Sequence, residues 1–88
     1  MRFVSLIKFK KKPTKEIIAH NLRSIEEEAK VGVKIISIYW TLGRYDAVAI
    51  IEAPDEKTAM RGSIIRGDYL TSETLVAIPA EEARKLVE

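Results

Sequence analysis

The chain has 88 residues, of which 47% are hydrophobic and 32% are charged, and its net charge at pH 7 is +2. A chain of this length fits one domain, which we expect to cover residues 1–88. The absence of cysteine excludes disulfides, thiolate metal sites and cysteine nucleophiles. A small domain without disulfides has only a modest core to stabilise it.

The first apolar run ends at Phe9, which is shorter than a signal peptide usually requires. No apolar stretch approaches the roughly 20 residues of a membrane span. We therefore expect a cytoplasmic protein that has no membrane partner. The chain has no glutamine, a single asparagine and many glutamate, lysine and isoleucine residues, and this composition indicates a thermophilic source.

The first half of the chain predicts a strand followed by a helix. Residues 3–9 are bulky and apolar and end in a lysine-rich turn, which is typical of a β-strand. A helix is predicted over residues 15–31, with Thr14 as its N-cap and Gly32 as its stop. Its apolar residues recur at helical spacing; they are Ile18, Leu22, Ile25 and Ala29.

The second half predicts a hairpin, a helix, a strand and a short terminal helix. Residues 33–41 and 46–53 are rich in β-branched residues and predict two antiparallel strands, joined by a tight connection at residues 42–45. Asp55 is a predicted N-cap for a helix that ends at Gly67. Residues 73–78 predict a fourth strand, and residues 79–87 a short helix.

This order, βαββαβ with an added terminal helix, predicts an α+β fold of the ferredoxin-like type. Strand–helix–strand units cross over right-handed, which places both long helices on one face of a four-stranded antiparallel sheet.

Both faces of the predicted sheet are apolar, whereas a sheet with one wet face should alternate apolar and polar residues. One side of the second strand carries Val33, Ile35 and Tyr39, and the other carries Ile36, Ile38 and Trp40. The helices can cover only one face, and a bare apolar face is unusual in a monomer. We therefore predict a homodimer with facing sheets, or a higher oligomer built on it.

The hairpin carries a family resemblance. Residues 39–46 read Tyr-Trp-Thr-Leu-Gly-Arg-Tyr-Asp, followed by Val-Ala-Ile at 48–50 and Glu-Ala-Pro-Asp at 52–55. This pattern resembles the GYD-domain family, over nearly the whole chain. The resemblance implies a dimeric α+β barrel, usually a small stand-alone domain of undetermined function. A looser similarity to the effector-binding domains of leucine-responsive-type regulators implies a free-standing ligand-sensing module.

The hairpin residues have both a structural and a functional interpretation. Gly43 can supply a positive φ, and the Asp46 carboxylate can accept N–H bonds that fix the turn. Aromatic side chains beside an arginine also suit a planar or anionic ligand. The candidate ligand-binding residues are Trp40, Arg44, Tyr45 and Asp46.

Candidate catalytic residues are few. His20 is the only imidazole and falls off the apolar stripe of the first helix, and Asp46 is the other candidate base. Residues 26–28 are three consecutive glutamates, which fan out around a helix, so a solvated face is expected rather than a metal site. We predict no metal and no cofactor.

The sequence leaves two functions open. The first is a non-enzymatic module that binds or senses a small molecule. The alternative is a cofactor-free dimeric-barrel enzyme, such as a monooxygenase or an isomerase, with His20 or Asp46 as its base. Nucleic acid is not an expected partner, because the third strand offers only alanine, valine and isoleucine where an RNA-binding sheet displays aromatic and basic residues.

Overall fold

The computed structural model describes the whole chain, residues 1–88. Its seven elements follow the predicted order. They are β1 (Arg2–Phe9), α1 (Lys15–Ala29), β2 (Lys34–Trp40), β3 (Ala47–Glu52), α2 (Glu56–Ile65), β4 (Leu70–Ala77) and α3 (Ala80–Lys85).

The four strands form one antiparallel sheet in the order β2-β3-β1-β4. This is the ferredoxin-like arrangement, so the predicted fold class is confirmed. None of the helices is both long and apolar enough to cross a membrane.

Local sequence signals begin the two long helices as predicted, whereas α1 ends at Ala29 rather than at residue 31 and α2 ends at Ile65, before Gly67. The Thr14 hydroxyl accepts the Ile17 N–H at 3.2 Å, and the Asp55 carboxylate accepts the Thr58 N–H at 2.8 Å, so both N-caps are formed. Gly32 and Gly43 have φ values of +90° and +103°, a backbone region that residues with a Cβ resist.

Strand β4 is longer than predicted, since it begins at Leu70 rather than at residue 73. Its first residues pair with the end of β1, with Leu70 opposite Phe9 and Ser72 opposite Ile7. Neighbouring Thr71 and Ser72 carry small polar side chains, so apolar periodicity gave no sign of the extension, although residues 71–77 resemble the last strand of GYD domains. The extra residues extend the sheet beneath α2.

An irregularity in β2 changes which of its side chains share a face. Ile35 pairs with Ile51 and Ser37 pairs with Ile50, so Ile36 is an extra residue in the ladder. Simple alternation placed Ile35 on the opposite side from Ile38 and Trp40, and that expectation was wrong. Past the bulge the pleat is reversed, so all three residues point toward the helices.

The closed core of the domain is small. It consists of Phe3, Val33, Ala53 and Ala59, with Ile51 packed against it. The apolar stripe of α1 faces the sheet but does not close onto it, because Ile18 and Leu22 remain 50% and 55% exposed. The helices therefore roof a cleft over the sheet.

Candidate functional site

The cleft lies between helices α1 and α2 and the sheet face beneath them. Its volume is about 320 Å³, and 16 of its 24 lining residues are hydrophobic. Its polar lining residues lie on and around α2 and on the neighbouring elements; they are Ser5, Asn21, Glu28, Ser63, Arg66 and Ser72. The cleft therefore has two chemically different sides.

The apolar side comes from α1 and β2, and we call it the apolar wall. It is extended by the aromatic pair of Phe9 and Trp40, whose ring centroids are 5.2 Å apart at an interplanar angle of 48°. Trp40 is the chain's only tryptophan. The wall residues are Ile18, Leu22, Ile25, Ile35, Ile38 and Trp40.

An ion pair between the two helices forms one part of the polar side. The Arg66 guanidinium donates from Nη2 to Glu28 Oε1 at 2.5 Å and from Nη1 to Glu28 Oε2 at 3.1 Å. It also donates to Asn21 Oδ1 at 2.7 Å and to the Gly62 carbonyl at 3.0 Å. The two charged side chains are only 15% and 8% exposed. They form a nearly buried, bidentate pair with most hydrogen-bonding capacity used.

Gly62 makes room for this ion pair. A Cβ at that position would lie 2.6 Å from Glu28 Oε2, closer than van der Waals contact permits. The carboxylate is held by two bonds and cannot move away freely. Glycine inside α2 is unfavourable for helix stability, and here it permits the carboxylate to approach the helix backbone.

Hydroxyl groups form the second part of the polar side. Ser72 donates to Ser63 Oγ at 3.1 Å, Ser63 lies 3.4 Å from the Thr74 hydroxyl, and Thr74 lies 3.1 Å from the Ser5 hydroxyl. Ser5, Ser63 and Ser72 line the cleft. We call these three residues the serine strip.

Tyr69 lines the cleft and contacts His20. The Tyr69 hydroxyl lies 3.5 Å from His20 Nδ1, and the two rings meet edge to face with centroids 5.8 Å apart. Burial raises the pKa of Tyr69 above its ordinary value, which further favours the protonated phenol. His20 itself is exposed, off the cleft lining, as its position off the apolar stripe predicted.

The four hairpin candidates do not converge on one site. Trp40 lines the cleft, whereas Arg44 and Tyr45 do not. The Tyr45 hydroxyl donates to Glu73 at 2.8 Å on the other side of the sheet, and this bond raises the pKa of Tyr45. The Arg44 guanidinium lies 5.7 Å from the Tyr45 ring centroid, which is a cation–π contact.

Asp46 has a structural partner in the neighbouring strand. Its carboxylate accepts the Phe9 N–H at 2.7 Å, and its own N–H donates to the Ile7 carbonyl at 2.8 Å. Asp46 was expected to bind N–H groups of the hairpin itself; it instead ties the end of β1 to the hairpin. Nowhere in the chain do three or more His, Cys, Asp or Glu side chains converge to hold a metal ion.

The sequence model of the GYD domain matches residues 3–87. The chain belongs to the GYD domain family. No curated protein matches it at a significant level.

In this GYD domain, sequence reasoning missed the polar side of the cleft. Glu28 was assigned with its two neighbours to a solvated face, but it is buried and bound to Arg66, while Glu26 and Glu27 are exposed. A helical wheel gives a sign of this: Glu28 follows Ile25 by three residues, so it borders the apolar stripe.

Proposed function

We propose that this GYD domain is a non-enzymatic module that binds or senses a small, predominantly apolar organic molecule in the cleft between its helices and its sheet. The observation that carries the proposal is the cavity of about 320 Å³ with its mostly hydrophobic lining. Ligand sites are typically concave and apolar, with a few polar groups that fix the orientation of the ligand. The apolar wall and the serine strip match that description.

Energetics support the same interpretation. Ile18 and Leu22 face the cleft while about half of their surface remains exposed. A molecule that covers them removes apolar surface from water, which contributes about 25 cal/mol per Å². Trp40 and Phe9 add two tilted aromatic rings at the same cleft. Occupation of the cleft therefore also supplies some of the hydrophobic stabilisation that the small core lacks.

The binding proposal is tested by a thermal-shift screen of small aromatic and aliphatic compounds, followed by titration of Trp40 fluorescence. A ligand of the cleft raises the melting temperature and changes the emission of Trp40, because binding to the folded state stabilises it. Leu22→Asp should abolish both effects, since it places a charge in the apolar wall. Ile64→Asp, on α2 outside the cleft lining, is the matched control. Unchanged binding by the Leu22→Asp variant would contradict the proposal.

The assembly in which this module works is a homodimer, formed through the sheet face opposite the cleft. Side chains on β1 alternate, so the neighbours of Ser5 and Ile7 point away from the cleft. With most of their pairing partners they form an apolar patch, which we call the open face; Glu73 opposite Leu6 and Ser37 opposite Ile50 are polar positions in the same rows. It contains Val4, Leu6, Tyr39, Val48, Ile50 and Leu75.

The rim of the open face is polar, as in protein interfaces. Arg2 donates two hydrogen bonds to Glu52 at one end, and this pairing lowers the pKa of Glu52. The bond from Tyr45 to Glu73 lies along the β4 side of the patch, where Glu73 pairs with Leu6. A standard interface of about 800 Å² per partner would cover such a patch.

The second candidate function is a cofactor-free enzyme, and the contact between His20 and Tyr69 is the observation that favours it. Tyr69 lines the cleft and its protonated phenol can donate to a substrate carbonyl. Asp46 lies off the cleft lining, with its carboxylate bound to the Phe9 amide. Oxygen uptake with a panel of quinols, compared between the wild type and Tyr69→Phe, tests the monooxygenase form of this candidate. Turnover that is lost in Tyr69→Phe would favour the enzyme.

A further inference from the structure

Charge complementarity in the cleft limits the chemistry of its ligand. Glu28 is the only acidic side chain and Arg66 the only basic side chain among the 24 lining residues. Each is bound to the other by two hydrogen bonds. The cleft therefore offers no free counter-charge to a ligand.

The remaining bonds of Arg66 strengthen this point. Its Nε group donates to Asn21, and its Nη1 group donates to the Gly62 carbonyl as well as to Glu28. Four of the five guanidinium N–H groups are thus in use. A carboxylate ligand could reach only the one remaining Nη2 N–H, and it would have to displace Glu28 to form a paired contact, which would leave the buried Glu28 charge without its partner.

The serine strip, in contrast, has unused hydrogen-bonding capacity. A hydroxyl oxygen can accept two hydrogen bonds and donate one, and the strip residues make only long contacts of 3.1–3.4 Å with one another and with Thr74. A neutral hydroxyl or carbonyl group can join this network without the desolvation cost that an ion would incur.

On the basis of the proposed function, we propose that the cleft selects uncharged ligands in which an apolar body carries one hydroxyl or carbonyl group. The body lies against the apolar wall, and the polar group binds the serine strip. Carboxylates and amines of the same size are excluded because they lose hydration and gain no counter-charge.

The test uses three compounds that share one skeleton: 4-phenylbutan-1-ol, 4-phenylbutyrate and 4-phenylbutylamine. Affinity is measured at pH 7 by Trp40 fluorescence with the full chain. The alcohol should bind at least about tenfold more tightly than either ion, as expected for burial of an unpaired charge. Equal or tighter binding of either ion would overturn the selectivity while leaving the binding function intact. No binding of any of the three would contradict this inference and the proposed function together.

Substitutions on the polar side of the cleft test which residues produce the preference for the alcohol. Ser63→Ala and Ser72→Ala should each lower the affinity for the alcohol about fivefold, which is the effect of one lost neutral hydrogen bond. Neither substitution should change the affinity for butylbenzene, which has no polar group. Glu28→Gln leaves the Arg66 charge without its carboxylate partner, so the affinity of the cleft for 4-phenylbutyrate should rise relative to its affinity for the alcohol. The serine variants keep the test decisive if Glu28→Gln does not fold. If both serine variants lowered the affinity for the alcohol and for butylbenzene equally, the serine strip would not be the group that binds the ligand's polar end.

Discussion

Glu28 and Arg66 join α1 to α2 through two parallel hydrogen bonds, with side chains that are only 8% and 15% exposed. Removal of one partner from such a pair leaves the other buried and uncompensated. The pair therefore holds the roof of the cleft together and keeps its interior electrically neutral.

Glu28→Gln should destabilise the fold by about 3 kcal/mol, because it leaves the Arg66 charge without a buried partner. For a domain of this size that corresponds to a fall in melting temperature of about 15 °C. Glu27→Gln is the matched control, since Glu27 lies on the same helix and is exposed. Thermal unfolding followed by circular dichroism measures both variants. Similar melting temperatures for the two would show that the ion pair contributes little.

Gly62→Ala should destabilise the protein by about 1–2 kcal/mol, the cost of disturbing a hydrogen-bonded charged group. Helix propensity alone predicts the opposite sign, since alanine is favoured over glycine by about 1 kcal/mol. The added Cβ would meet the Glu28 carboxylate. In a Glu28→Ala background the carboxylate clash is absent and only the contact with Arg66 Nη1 at 3.1 Å remains, which that side chain can relieve by moving, so the same substitution should there be stabilising. Chemical denaturation of the four proteins gives this double-mutant cycle.

Asp46→Ala should cost about 1–2 kcal/mol, because the Phe9 N–H loses its charged acceptor. Asp68→Ala is the control, since Asp68 is exposed and accepts no side-chain hydrogen bond. Urea denaturation measures the loss. If Asp46 acted only as a ligand or catalytic group, its substitution would leave the stability unchanged.

The architecture was predictable from local signals, and the site was not. Apolar periodicity, the caps at Thr14 and Asp55 and the glycines at the turns predicted the element order, and that order implied the sheet topology. The bulge at Ile36 has no such signal, since its neighbours Ile35, Ser37 and Ile38 are β-branched or small like other strand residues. The bond between Glu28 and Arg66 joins positions 38 residues apart, a pairing that depends on how the two helices pack.

The hairpin illustrates the same limit. Its residues carry the family resemblance, and adjacency in sequence suggested that they share one site. Trp40 points toward the helices, whereas Tyr45 reaches Glu73 on the other side of the sheet. Trp40 ends β2 and Tyr45 lies in the connection to β3, so the chain reverses between them and their side chains lie on opposite faces of the sheet.

Ile50→Lys should convert the proposed dimer into a monomer, since it places a charge at the centre of the open face. Ile64→Lys is the control, because Ile64 is 70% exposed on α2, away from that face. Light scattering coupled to size exclusion measures the mass against the chain mass of 10.0 kDa. We expect twice that mass for the wild type and the control. A wild type that is monomeric at micromolar concentration would contradict the dimer.

The most direct test of the cleft as a ligand site is a ¹⁵N–¹H correlation spectrum of the protein titrated with 4-phenylbutan-1-ol. Binding in the cleft predicts shifts at the Trp40 indole N–H and at the amides of Ser63 and Ser72, which come from three separate elements and meet only there. The open-face amides of Leu6 and Ile50 should shift much less. Shifts confined to the open face, or no shifts at millimolar ligand, would contradict the account.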